Sequence, residues 1–242
     1  RVRKALAHLL DRETLNSTLM FNAYFLHRSY YEDLYDSQTT CTNTLLNFNP
    51  NLAASLLADA GWLPNPKTGL LEKSGRNLTI NFLTRDASTD RFLAIYSEAL
   101  KKVGITLAIN RKDFAAWMRD MDAFNFDMTW CSYGGGIFRD PEYMWHSTEA
   151  DRPAGNNITG FKNKNVDAWI EEQKQEFDIQ KRNTILRHID STLAATIPYI
   201  LLWNIDTTRL LYWDKFGMPD TVLSKYGGEG SAIVYWWYDP DS

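Results

Sequence analysis

Leu78-Thr79-Ile80-Asn81-Phe82-Leu83, Ile105-Thr106-Leu107-Ala108-Ile109 and Phe126-Asp127-Met128-Thr129-Trp130-Cys131 are three strand-like runs, and the two intervals between them read as helices. In the first run Leu78, Ile80 and Phe82 alternate with Thr79, Asn81 and Leu83. In the third, Phe126, Met128 and Trp130 alternate with Asp127, Thr129 and Cys131. Phe92, Ile95, Tyr96, Ala99, Leu100 and Val103 share one helical face, and Gly104 stops that helix. Asp113 caps the next, with Phe114, Trp117, Met118 and Met121 along it. Strand, helix, strand, helix, strand in succession implies an α/β fold with parallel strands joined by right-handed crossovers. The third strand then breaks into Gly134-Gly135-Gly136 and closes on Asp140-Pro141, a turn signal. Ligands in α/β sheets gather at the carboxyl ends of strands. The loop over 131–140 is therefore the predicted floor of a cleft whose other wall lies mostly outside this chain.

Before this unit, Val2, Ala5, Leu6, Leu9 and Leu10 recur at helical spacing, and Asp11 caps a second short helix through Leu15 and Leu19. Residues 21–46 are polar, aromatic and poorly periodic, a length of loop that is either functional or a surface insertion. Asn49-Pro50 starts a helix with Leu52, Leu56, Leu57 and Ala60 on its apolar face; Gly61 ends it and Trp62 folds back on it. After the central unit, Asn165 is read as starting a helix with Val166, Trp169, Ile170 and Phe177. A second helix carries Ile185, Leu186, Ile189 and Leu193 and ends at Pro198. Residues 199–203 read as a buried strand and 207–212 as another.

The chain has 242 residues, 44% of them hydrophobic, and a formal net charge of -4. No long run of one charge sign occurs, so nucleic acid is not an expected partner. No apolar stretch reaches the roughly 18 residues of a membrane span; the longest, over 196–205, contains Pro198 and Asn204. The sequence begins mid-helix without Met, and reads as a piece of a longer protein. Nine Trp and twelve Tyr suit either a wet cleft or an aromatic core. Cys41 and Cys131 match no metal or redox spacing; they are expected as free thiols, with a disulfide between them the alternative in an oxidising compartment.

Catalytic signatures are sparse. His8, His27, His146 and His188 are scattered, with no pair at helical metal spacing, and no metal site or cofactor is expected. No nucleophile elbow occurs. The three glycines lack the Lys-Ser/Thr of a phosphate loop; they either make a flexible link or let a ligand approach the main chain. Asp140 and Glu142 could form a glycan-hydrolase carboxylate pair, but a spacing of two residues on a turn suits that chemistry poorly. Asp140 serves equally as a helix cap. Arg139 could grip a ligand carboxylate or form a surface ion pair. Asn156 and Asn157 could bond a peptide backbone or build a turn. Trp130, Tyr133, Gly134 and Tyr30 complete the candidate ligand-binding set.

Six stretches, in order, carry a resemblance. They are Val2-Arg3-Lys4-Ala5-Leu6 with Asp11-Arg12; Asn49-Pro50 through Leu56-Leu57 to Ala60-Gly61-Trp62; Leu100-Lys101-Lys102-Val103-Gly104-Ile105; Phe126-Asp127-Met128 with Asp140-Pro141; Asn156-Asn157 through Gly160-Phe161 to Val166-Asp167; and Ile197-Pro198-Tyr199. With these, the chain resembles the C-terminal half of periplasmic dipeptide-, oligopeptide- and nickel-binding proteins of ABC importers, extracellular solute-binding proteins of family 5. Ser29-Tyr30 and the Trp236-Trp237 ending look most like the YejA-type subgroup. The resemblance implies one lobe of a two-lobe, type II periplasmic binding protein, with a mixed, mostly parallel sheet flanked by helices. Residues 1–205 would form the ligand-binding lobe and 206–242 a segment returning towards an N-terminal lobe. It implies a monomeric periplasmic protein that captures a peptide or peptide-like solute and delivers it to an inner-membrane ABC permease, without membrane insertion. The family's acidic residue for the peptide amino group lies in the loop after the Asp-Met…Trp strand. Here that loop reads Cys131-Ser132-Tyr133-Gly134-Gly135-Gly136-Ile137-Phe138-Arg139-Asp140, so a simple amino-terminus salt bridge does not carry over.

Overall fold

The structure is a computed structural model that describes residues 1–134, 139–205, 207, 209–220 and 230–240. Residues 135–138, 206, 208, 221–229, 241 and 242 lie outside the described residues. In chain order the first elements are α1 (Val2–His8), α2 (Arg12–Leu19), β1 (Phe25–Leu26) and α3 (Pro50–Asp59). Then come β2 (Leu63–Pro64), β3 (Leu71–Lys73), β4 (Arg76–Asn77), β5 (Thr79–Thr84), α4 (Asp90–Lys102), β6 (Thr106–Arg111), α5 (Phe114–Asp122) and β7 (Met128–Thr129). The second half has α6 (Glu142–Trp145), α7 (Lys164–Gln175), α8 (Ile179–Thr196) and β8 (Trp203–Asn204).

The expected parallel unit forms, in the order β6-β5-β7. β5 lies in the middle because it is the most apolar: Ile80, Phe82 and Leu83 are all buried. β7 is shorter than its alternation suggests. The Asp127 carboxylate accepts from the Asn81 amide N–H at 2.8 Å and the Asn81 side chain at 2.7 Å, so a side chain holds the entry to β7.

Local signals work where the chemistry is local. The side chains of Asp11, Asn49 and Asp113 accept from the backbone N–H of Thr14, Leu52 and Ala116, the N-cap bonds that orphan helical donors require. Gly61 and Gly104 take left-handed conformations after α3 and α4.

Two apolar clusters hold the chain. The first joins Leu6 and Leu9 of α1, Leu57 of α3, Ile80 of β5, Leu100 of α4 and Ile105. The second joins Leu34, Trp145, Val166, Ile170, Leu186 and Ile189. Arg12 ties the chain between them. Its buried guanidinium donates to the carbonyls of His27 at 2.7 Å and of Leu201, 189 residues further along the chain from Arg12, at 2.8 Å.

Several expectations are corrected. Residues 199–202 form no strand, and only Trp203–Asn204 pairs, antiparallel with β1. The Leu201 carbonyl is taken by Arg12, while the Leu202 carbonyl accepts from the His27 N–H next to the β1 pairing. Residues 207 and 209–212 are irregular. α7 is capped by Asn163, whose side chain accepts from Asn165 and Val166, and not by Asn165. Phe177 lies beyond the end of α7 and is 93% exposed. The apolar face of α5 is not buried; Phe114 stands exposed.

Candidate functional site

β7 delivers Trp130 to the carboxyl edge of the parallel sheet. There its ring packs with Phe92 of α4 at 5.9 Å and Trp203 of β8 at 5.7 Å between centroids. Three residues on, Tyr133 meets Tyr199 edge-on at 5.8 Å, and their hydroxyls are 2.8 Å apart. Tyr199 in turn stands against Trp145 at 5.5 Å, and Trp145 against Tyr30 at 5.5 Å. The result is an aromatic shelf running from the first core to the second. Its outer member, Tyr133, keeps 49% of its surface exposed.

The shelf is backed by a hydrogen-bonded frame. Tyr30 donates its hydroxyl to the Tyr199 carbonyl at 2.8 Å, and the Trp145 indole N–H donates to the Tyr31 hydroxyl at 3.0 Å. Beneath both lies the fully buried Asp190 of α8. Its carboxylate accepts from the Tyr30 N–H, the Tyr35 hydroxyl and the Asn43 side chain, each at 2.7 Å. Burial raises the Tyr30, Tyr31 and Tyr199 phenols above their ordinary range, and pushes Tyr133 up to about 12. All four are neutral hydrogen-bonding groups at physiological pH. Burial also raises the Cys131 thiol, beside the Tyr133 hydroxyl. Cys41 and Cys131 are both free and half-buried.

The remaining candidates divide. Gly134 is exposed next to Tyr133, with open space around its α-carbon. Arg139 pairs with Asp33 at 3.3 Å, fastening the far end of the loop to the 28–43 segment. Asp140 accepts from the Glu142 N–H at 3.0 Å and so starts α6, while Glu142 pairs with Lys174 at 2.7 Å. Asn156 is exposed. Asn157 follows the turn alternative: it is fully buried, donates to the Phe161 carbonyl at 2.9 Å and accepts from the Phe161 N–H at 2.9 Å. Its amide closes a turn and is spent there. Tyr30 is likewise a strut of the frame, its hydroxyl engaged inward.

Sequence reasoning missed Tyr199, Trp203 and Asp190. Tyr199 carries a signal, since it follows the Ile-Pro that ends α8. Asp190 carries none: one aspartate in an amphipathic helix looks like any solvated residue.

A narrow cavity beneath Tyr30 and Tyr199 encloses about 30 Å³, room for one water. Pockets for small ligands span roughly 300–1,000 Å³. That cavity is too small to hold such a ligand. Among the described residues no group of three or more His, Cys, Asp or Glu is arranged to hold a metal, and no helix is long and apolar enough to cross a membrane.

The model for the middle part of the bacterial extracellular solute-binding proteins, family 5, matches residues 1–154. The chain belongs to this family. A relative, the probable peptide-binding protein YejA of Agrobacterium fabrum, is 25% identical over 98% of this chain and 44% of its own length. The oligopeptide-binding protein AppA of Bacillus subtilis, solved with a nonapeptide, superposes with a TM-score of 0.80 at 20% identity, over 98% of this chain and 47% of AppA. NikZ of Campylobacter jejuni, solved with Ni(L-His), gives 0.78 at 19% identity, over 97% of this chain and 48% of NikZ. The fold is that of a lobe of a type II periplasmic binding protein, as the resemblance implied. The family 5 chain spans less than half the length of each of these proteins.

Proposed function

We propose that this chain is the second large lobe of the substrate-binding component of an ABC importer, and that its shelf is one wall of a cleft for peptide-like solutes. The observation that carries the reading is the aromatic shelf of Trp130 and half-exposed Tyr133, at the carboxyl edge of the parallel sheet in a family 5 lobe. Aromatic faces bind peptide side chains with little entropic cost, and neutral phenols bond main-chain groups without requiring a charge. Residues 1–205 would supply this wall and 206–242 would return towards the other lobe. Hinge closure would bury the ligand, and delivery to a membrane permease would follow. The setting would be the periplasm, with the protein a monomer. YejA and AppA, named for peptide binding, support this ligand class. Hydrolysis by Asp140 and Glu142 gains no support, because a helix start and Lys174 occupy them.

Thermal unfolding with oligopeptides tests the reading. A ligand at 100 times its Kd stabilises a protein by about 2.7 kcal/mol. The full-length protein should gain that order of stability, and the isolated lobe much less, because half the contacts are missing. Equal shifts would refute the two-wall cleft; no shift in the full-length protein would refute peptide capture.

A further inference from the structure

We propose that Arg85, Trp117 and Phe114 form an anion-binding corner beside the shelf, which takes a carboxylate carried by the ligand. Arg85 makes the contact and Trp117 is its positioning residue. The proposal rests on the reading of this edge of the sheet as a wall for peptide-like solutes.

Local signals build the corner. β5 is the middle strand of the parallel sheet; Thr84, at its end, lies opposite Arg111 of β6, and Leu83 lies opposite Thr129 of β7. Arg85 is the next residue. Its main chain therefore stands at the carboxyl edge, about one strand spacing of 4.8 Å from the chain that delivers Trp130. On the other side the chain leaves β6 and Asp113 caps α5. Phe114 and Trp117 follow, three residues apart and so on one helical face. Their rings stack, with 6.2 Å between centroids and 28° between planes. The Arg85 guanidinium lies over both, 4.5 Å from the Trp117 centroid and 5.2 Å from that of Phe114.

These rings are not core. No residue of α5 is buried, and Phe114 and Arg85 are exposed. Neighbouring cations of the edge are engaged: Arg111 pairs with Asp90, and Lys112 with Asp120. Among the described residues the Arg85 side chain has neither an ion pair nor a hydrogen bond. Asp86, beside it, feels its charge but accepts from the Ser88 N–H at 2.8 Å. A guanidinium lying over aromatic rings is held in place while its in-plane N–H groups stay free. It then loses less rotamer freedom on binding a planar anion, and its fork matches the two oxygens of a carboxylate. A ligand can bring that group as an Asp or Glu side chain or as its carboxyl terminus.

The test uses the full-length protein and pentapeptide libraries with the carboxyl terminus free or amidated and one position fixed as Glu or Gln, quantified by mass spectrometry after gel filtration. Glu over Gln among amidated peptides reads a side-chain carboxylate; free over amidated among Gln peptides reads the terminus. At least one ratio should be about tenfold at low salt and fall as salt is added. Arg85→Gln should bring that ratio close to one. Arg85→Lys, which keeps the charge without the fork, should retain about threefold, and Trp117→Leu should lower the ratio about threefold. A merely structural defect would reduce retention of every library together and leave the ratio unchanged. Retained peptides with both wild-type ratios within about twofold of one, or a ratio unchanged in Arg85→Gln, would overturn the corner and leave peptide capture standing. Retention of no library would overturn peptide capture and the corner together.

Discussion

Asp190 shows how one side chain can organise a surface it never touches. Its buried carboxylate gathers three donors from the 28–43 segment, and that segment carries Tyr30 and Asp33, which brace the shelf and its loop. Asp190→Ala would remove the acceptor of a backbone N–H and a phenol, and leave the Asn43 amide only its longer bond to the Arg28 carbonyl at 3.4 Å. At about 1–3 kcal/mol for each unsatisfied group, the loss should be at least about 2 kcal/mol in urea unfolding. Asp190→Asn keeps one acceptor oxygen and should lose less. A change below about 0.5 kcal/mol in Asp190→Ala would contradict this role. Glu32, in the same segment, should make stability depend on pH. Burial alone would raise its carboxyl, but His27 at 3.4 Å and the N–H groups of Ser29 and Arg28 outweigh burial and hold it below the usual range. A depressed folded pKa stabilises the protein above the unfolded value of about 4.3, and that contribution disappears as pH falls through the folded value. The difference in Tm between wild type and Glu32→Gln should therefore be present at pH 7 and shrink towards pH 3. A difference independent of pH would exclude a charge effect.

At the scale of elements, turns carry the strictest demands. Gly104, between α4 and β6, has φ +85°, and a Cβ there would lie 2.5 Å from the Gly69 oxygen and 2.9 Å from the Leu71 nitrogen. Conformational strain and backbone overlap act together, so Gly104→Ala should cost more than about 2 kcal/mol in equilibrium unfolding. A near-neutral result would mean that the link over 69–71 yields. Helix starts were legible wherever a single Asp or Asn stood before a periodic run, because an N-cap bond spans only two or three residues. α7 departs from its sequence reading for a related reason. Asn163 and Asn165 are both competent caps, and the chain uses the earlier one. α8 ends on Ile197 at φ 51°, a cost for a β-branched residue that Arg3 helps to offset by donating to the Thr196 and Ile197 carbonyls at 2.8 and 2.9 Å.

At the scale of the whole molecule, the two cores meet along the shelf, and the shelf faces outward. Phe177 is almost fully exposed, Phe114 largely so, and Tyr133 keeps half of its surface open. Taken alone, the sequence determined the parallel unit, the caps, the stopping glycines and the family. Each depends on periodicity or on contacts a few residues apart, which a linear string preserves. It also placed Trp130 and Tyr133 at the carboxyl end of a strand. Only the tertiary structure decided that Asn157 is a buried turn residue and Asp190 the anchor of a loop some 150 residues away. The same holds for Tyr199, which stands behind Tyr133. Those roles depend on which polar groups are left without water when distant segments pack together, and burial of that kind is a property of the folded chain.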